Sequence, residues 1–316
     1  MIKPITVGTD CSGIDAPIFA FKKLRVPIKH VFSCDINSHA KKSIMANCNP
    51  QFFFDDIRRQ HKNALYTDFY FLGFPCQSFS SAGKRLGFDD ERGNIFFQGF
   101  KHIQNAQPKV FILENVKGLL NHNEGNTFST ILRKLKSLKS YNIHYKLLNS
   151  KNFGVSQNRE RIFIVGIKKH FEKKQFEFPK PYNKPIPHIS EFLDKSAIKY
   201  PLSNFESNTI KNFFEKYNAK GIDISKSYYI IDVGASPQFS SIMQNISPCL
   251  KATRCDYYIT KLRRKFTPQE CLRLQGFPNS FKKVVSDSQI YKQAGNSITV
   301  NVLCEILKQV FKALNI

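Results

Sequence analysis

Tryptophan is absent from the 316 residues, acidic side chains are scarce, and the eight cysteines include no C-x-x-C pair. Each shortage excludes something. The cysteines stand singly (Cys11, Cys34, Cys48, Cys76, Cys249, Cys255, Cys271, Cys304) and supply neither zinc-ligand spacing nor a disulfide framework, so no metal and a reducing compartment are expected. No apolar run is long enough to span a bilayer, and no signal-peptide or lipidation pattern stands out. The chain therefore reads as soluble and cytoplasmic, nucleoid-associated if bacterial, with no membrane partner. Against 24 Asp and Glu stand 48 Lys and Arg, a formal net charge of +24 that exceeds what solubility needs. Such an excess implies a polyanionic partner, and nucleic acid fits better than an anionic membrane surface.

What is present is alternation. Short apolar runs predict strands over residues 5–7, 30–33, 52–54, 69–72, 110–113, 144–148 and 161–167. Helix-length segments lie between them, roughly 17–23, 38–46, 93–103 and 127–138, the last with Ile131, Leu135 and Leu138 at helical spacing. The β-α-β order argues for a mostly parallel sheet with helices on both faces. After about residue 170 the pattern fades into a Lys- and Pro-dotted stretch, and an amphipathic helix at 300–314 is expected to dock back on the first domain. The boundaries drawn are 1–168, 169–280 and 281–316.

The carboxyl ends of these strands carry the candidate chemistry. Cys76, in Gly73-Phe74-Pro75-Cys76-Gln77-Ser78-Phe79-Ser80, follows a buried strand into a polar loop, where open α/β sheets bind ligands and a thiol can act as nucleophile. A lone cysteine would otherwise read as a small buried hydrophobe. Glu114 ends the 110–113 strand on the same rim. A thiolate attacking an electron-poor ring carbon pairs with a carboxylic acid that protonates a ring nitrogen, and burial would keep Glu114 protonated for that work. Cys11-Ser12-Gly13-Ile14 is a small-residue turn before a helix, Asp35 follows the second strand as a ribose acceptor would, and Asp56 follows the third as an acceptor for an adenine amino group. Arg159 and Arg161, two apart where a strand begins, are expected to fall on opposite sides of the chain, one facing the pocket and one supporting it.

The ordered set Cys11-Ser12-Gly13, Gly73 to Ser80, Glu114-Asn115-Val116, Gln157-x-Arg159-x-Arg161, Arg273-Leu274-Gln275-Gly276-Phe277-Pro278 and Ala294-Gly295-Asn296-Ser297 resembles the DNA cytosine-5 methyltransferases, over about residues 5 to 310. The resemblance implies a Rossmann-like α/β methyltransferase sheet that uses S-adenosyl-L-methionine and releases S-adenosyl-L-homocysteine. It also implies a smaller target-recognition domain inserted before a returning C-terminal helix and a double-stranded DNA substrate; a monomer is expected because one active site and one reading module suffice. Cys76 matches the nucleophile that adds to cytosine C6, Glu114 the group at N3, and Arg161 the residue at the base carbonyl, with Arg159 in support. Asp35 and Asp56 match the ribose and adenine contacts, Ile36 and Ile57 the flanks of the adenine, and Pro75, Asn296 and Ser297 the methionine end. Residues 77–92 match a closing loop in which Ser80, Lys84 and Arg85 meet DNA.

Two departures stand out: Cys11 replaces a customary Phe, and Asp15-Ala16 a customary glycine pair. Thr209-Ile210 is the nearest match to the family's Thr-Leu recognition signature. Apart from the resemblance, Lys261, Arg263, Arg264 and Lys265 form a basic cluster expected to hold phosphates. Two other readings fit the composition, a tRNA cytosine-5 methyltransferase of the same architecture and a catalytically silent DNA-binding protein. The roughly ninety residues between Ile167 and Lys261, long enough for a DNA-reading module, favour the DNA enzyme.

Overall fold

The computed structural model describes residues 4–60, 64–75, 94–236, 238–253 and 255–316. Cys76, Ser80, Lys84 and Arg85 lie outside them. The chain divides into two compact units, one of Met1–Leu148, Glu160–Lys180 and Val302–Ile316, the other of Asn149–Arg159 and Pro181–Asn301.

Among the described residues the first unit holds seven strands: β1 (Ile5–Asp10), β2 (Ile28–Cys34), β3 (Phe52–Phe54), β4 (Phe69–Leu72), β5 (Val110–Val116), β6 (Tyr141–Asn149) and β7 (Glu160–Lys168). They form one sheet in the order β3-β2-β1-β4-β5-β7-β6. The first five pair in parallel, and β7 runs antiparallel to β5. Helices α1 (Ala16–Lys23), α2 (Ser38–Asn47), α3 (Ile57–Gln60), α4 (Asn94–Ala106) and α5 (Asn126–Lys136) connect them. Because crossovers cover parallel strands on both faces, all four β4 residues, Phe69 to Leu72, are buried. On α5 the apolar positions Phe128, Ile131 and Leu135 are buried at helical spacing, and Arg133, Lys134 and Lys136 occupy the last turn, where the helix dipole favours cations.

The second unit has its own four-stranded sheet, in the order β11-β10-β8-β9, of β8 (Tyr229–Asp232), β9 (Ile242–Gln244), β10 (Tyr257–Ile259) and β11 (Arg264–Lys265). It also carries α6 (Asn204–Asn218), α7 (Pro268–Leu274) and α8 (Asp287–Asn296), and the final helix α9 (Val300–Leu314) returns to the first unit. There Phe311 packs on Phe21 and Phe69, with ring centroids 6.2 and 5.9 Å apart.

The unit boundaries differ from those read in sequence. Residues 169–180 stay with the first unit because the N–H groups of Lys173 and Lys174 donate to the carbonyl of Ala313, at 2.8 and 3.0 Å. Residues 281–301 belong to the second, tied in by Val300 N–H donating to the Gln275 carbonyl at 2.9 Å. Helix α6 and the small sheet carried no readable apolar period. A local signal did exist, since Ser203-x-x-Glu206 and Thr267-x-x-Glu270 are capping boxes that open α6 and α7. Thr209 and Ile210 lie inside α6, where Thr209 is buried and Ile210, partly buried, packs on the core of the unit.

Candidate active site

Strand register draws one line across the first unit's sheet: Phe54 pairs with Cys34, Cys34 with Asp10, Asp10 with Leu72, and Leu72 with Leu113. Every candidate at a strand end therefore lies just past that line: Asp56, Asp35, Cys11, Phe74-Pro75 and Glu114. At the turn after β1, Gly13 adopts φ +58°, a left-handed conformation that glycine takes without strain, and the space where a Cβ would point is open. Its N–H donates to Asp35 Oδ2 at 2.8 Å, while Asp35 Oδ1 accepts from Asn37 N–H at 2.9 Å. Each Asp35 oxygen so keeps lone-pair capacity for a further donor.

Beside Asp35, Ile36 stands 77 % exposed. An apolar side chain in solvent next to a carboxylate suits the flat face and diol of an adenosine. Ile14 and Ile57 differ, being 1 % and 4 % exposed, so they serve the core and present almost no surface of their own to an adenine ring. Asp56 is half-buried and shares its carboxylate with the Arg58 guanidinium at 2.8 Å, whereas Asp55 points outward to Lys41 at 2.9 Å.

Past β4 and β5 the two rim motifs are joined. Buried Asn115 donates its Nδ2–H to the carbonyl of Phe74 at 2.8 Å, two residues before Cys76. Arg161 sits opposite Val116 in the antiparallel β5/β7 pair, and Glu114 shares Val116's face two residues earlier. That diagonal brings Arg161 Nε to 3.2 Å from Glu114 Oε1, with side chains 15 % and 10 % exposed. Glu114 is thus a nearly buried carboxyl with a cation at its side.

Arg159 belongs to the second unit, 2 % exposed. Its guanidinium donates to the carbonyls of Leu250 (3.0 Å), Gly295 (3.0 Å) and Ser297 (2.8 Å). It braces the Ala294-Gly295-Asn296-Ser297 turn. Strand alternation puts residues two apart on one face, so it gives no ground for expecting Arg159 and Arg161 on opposite sides. Arg159 precedes the strand, which starts at Glu160. In the same turn Ser297 is buried, Asn296 is exposed, and a Cβ on Gly295 would lie 2.4 Å from the Lys251 backbone, so only glycine permits that approach.

A model of the C-5 cytosine-specific DNA methylases matches residues 11–312. The chain belongs to that family. It is a DNA (cytosine-5)-methyltransferase. Curated relatives include the type II methyltransferase M1.ScrFI of Lactococcus lactis subsp. cremoris, 36 % identical across 91 % of this chain and 73 % of that protein. M.HpaII of Haemophilus parainfluenzae is 36 % identical across 90 % and 84 %. Among solved structures, the S. pombe Dnmt2 methyltransferase superposes with a TM-score of 0.71 over 99 % of this chain and 100 % of that one, at 19 % identity, a likeness of fold.

Two fully buried glutamines of the methylase, Gln157 and Gln275, hold backbone groups. Gln157 Nε2 donates to the Leu274 carbonyl (2.9 Å), and its Oε1 accepts from Leu250 N–H (3.1 Å). Gln275 Nε2 donates to the Ala294 carbonyl, and its Oε1 accepts from the Thr299 hydroxyl, at 2.6 and 2.7 Å. Gln275 and Arg159 thus satisfy the carbonyls of Ala294, Gly295 and Ser297, while Gln157 ties Leu250 to Leu274, and the signal for this was the co-occurrence of the three motifs.

The basic cluster needs correction. Arg264 is buried and held by both oxygens of Glu270 at 2.8 and 2.6 Å, so it is not available to phosphates. Lys265 pairs with Glu206 at 2.8 Å and Lys261 lies over the Tyr228 ring, which leaves Arg263 as the exposed arginine.

Burial pushes the thiols of Cys11, Cys34, Cys48, Cys271 and Cys304 up, so they remain neutral and do not compete with Cys76 as thiolates. Burial also pushes the Asp10 carboxyl from 3.8 up to about 7, partly offset by the Tyr70 hydroxyl at 2.6 Å. Below about pH 4 both folded and unfolded states hold this proton; from there to about pH 7 only the unfolded state releases it, so stability falls as pH rises and then levels. Asp10→Asn is expected to be more stable than the parent at pH 8, by on the order of a few kcal/mol, and to match it near pH 4. Urea denaturation at the two pH values checks this, and equal midpoints at pH 8 would refute it.

Proposed function

We propose that the methylase converts cytosine to 5-methylcytosine at a short specific sequence in double-stranded DNA, with Cys76 as nucleophile and Glu114 as the acid at N3. The observation that carries this reading is the bond from Asn115, next to Glu114, to Phe74, two residues before Cys76.

C6 is shielded inside a duplex, so the target nucleotide must swing out, at a cost of roughly a few kcal/mol that phosphate contacts from a +24 chain offset. The Cys76 thiolate then forms a bond to C6 while Glu114 gives a proton or strong hydrogen bond to N3. The electron pair pushed toward C5 makes that carbon a nucleophile. Arg161 holds the Glu114 carboxyl in place and offers N–H donors for the base carbonyl. C5 takes the methyl group, leaving the electron pair of the broken sulfur–methyl bond on the sulfur of S-adenosyl-L-homocysteine; loss of the C5 proton to water then returns its electron pair to the ring and expels the Cys76 thiolate, and N3 returns its proton to Glu114.

S-adenosyl-L-methionine supplies an electrophilic methyl group on a sulfonium. The residues fit it: Asp35, with spare lone pairs, would take the ribose diol, exposed Ile36 the adenine, Asp56 the amino group, and the open face of the Ser12-Gly13 turn the remainder. The second unit is proposed to read the DNA, with exposed Arg263 at phosphates, and one active site with one reading unit makes a monomer sufficient.

The test is methyl transfer from labelled S-adenosyl-L-methionine to duplex DNA or to tRNA, beside Cys76→Ala. Label in DNA alone, lost in the variant, is expected. Label in tRNA alone would overturn the DNA reading, and no transfer to either would leave a binding protein. Bisulfite sequencing of DNA from an expressing host would then identify the site.

A further inference from the structure

Asp15 has an unusual place for a carboxylate. It precedes α1 in the left-handed region (φ 57°, ψ 47°), yet its side chain makes no capping hydrogen bond to that helix. Left-handed backbone costs free energy in any residue with a Cβ, and a carboxylate removed from water costs more unless donors surround it. Asp15 is 0 % exposed. The donors come from both neighbouring strands: Thr9 Oγ1–H of β1 donates to Oδ1 at 2.6 Å, and Ser33 Oγ–H of β2 donates to Oδ2 at 2.7 Å.

His30 extends the chain, its Nε2 lying 2.9 Å from Ser33 Oγ and 3.7 Å from Asp15 Oδ2. Because the Ser33 proton goes to Asp15, the consistent tautomer has His30 Nε2–H donating to Ser33. His30 Nδ1 is buried without a hydrogen-bond partner among the described residues, so that ring addresses this network alone. At the other end Ser12 Oγ lies 2.7 Å from Thr9 Oγ1 and accepts from Cys34 N–H at 2.9 Å, next to Gly13, whose N–H holds Asp35.

We propose that Asp15 is a positioning residue for cofactor binding: buried beneath the 11–15 turn, it ties Thr9, Ser33 and His30 together and so sets Ser12, Gly13 and Asp35 in place for the nucleoside. This rests on the reading that the turn and Asp35 hold S-adenosyl-L-methionine. Asp15 touches no ligand itself. Its carboxylate is required because both hydroxyls donate to it; an amide would present N–H₂ to one of them and force it to reverse, against the His30 proton if that hydroxyl is Ser33.

Asp15→Asn is therefore expected to weaken binding of S-adenosyl-L-homocysteine, measured by calorimetry on the full chain, by about tenfold or more, and to raise the KM for S-adenosyl-L-methionine by a similar factor with a much smaller change in kcat. Ser33→Ala, which removes one donor and leaves the turn's sequence intact, is expected to move in the same direction by a smaller factor. If Asp15→Asn does not fold, Ser33→Ala decides. Asp35→Ala is the control for the underlying reading. Should Asp35→Ala leave affinity unchanged, the cofactor placement fails. Should Asp35→Ala weaken binding while Asp15→Asn and Ser33→Ala keep parental affinity and lose only thermal stability, the role given to Asp15 alone is overturned.

Discussion

Glu114→Gln is expected to lower kcat for methyl transfer by roughly two to four orders of magnitude, the range of a positioned proton donor. Glutamine keeps the volume of the side chain and can lie beside Arg161 Nε, which is 3.2 Å from the Glu114 carboxylate. What it cannot do is give a proton to N3, so negative charge would build on the ring as the thiolate adds. Affinity for S-adenosyl-L-methionine should stay within about twofold, because the cofactor site proposed at the 11–15 turn and Asp35 does not include Glu114. Single-turnover methylation, calorimetric cofactor binding and thermal melting on the same preparations separate the effects. A variant that retains more than a tenth of parental kcat would remove Glu114 from the chemistry.

Arg264→Ala is expected to destabilise the second unit by about 3–5 kcal/mol, since it strands a carboxylate that is 0 % exposed. Glu270 also accepts from the N–H groups of Asp194 (2.7 Å) and Thr267 (2.8 Å), so its charge is structurally committed and cannot turn to water. Urea denaturation followed by hydrogen exchange in α7 would show the loss. Replacing Arg264 and Glu270 together by apolar residues of similar volume should recover much of it, because no charge is then left unpaired. Arg263→Ala gives the contrast: little change in stability, and a DNA affinity whose dependence on log salt is shallower by about one. If Arg264→Ala melts like the parent and weakens DNA binding, the two arginines have been given each other's work.

Much of the first unit was legible in sequence because parallel strands buried on both faces must be short, apolar and regularly spaced. The runs at 52–54 and 69–72 coincide with β3 and β4, and helix 300–314 with α9. The second unit was not legible. Its strands are two to four residues long, too short for a period of two to register, and α6 buries few of its positions. The capping boxes at Ser203 and Thr267 were the available signal, and they mark where a helix starts without saying what it packs on.

At the site the division follows the same physics. Residue type and order alone put Asp35 just past one strand and Glu114 near the end of another, and six motifs in the right order carried the resemblance to the family. Tertiary structure decided everything that depends on partners: that Arg264 is spent on Glu270, that Arg159 braces the 294–299 turn, and that Asp15 is buried between β1 and β2. A charged side chain's role is set by which groups surround it once folded, and neither the six-residue gap from Arg264 to Glu270 nor the longer one from Arg159 to Ser297 says which groups those are.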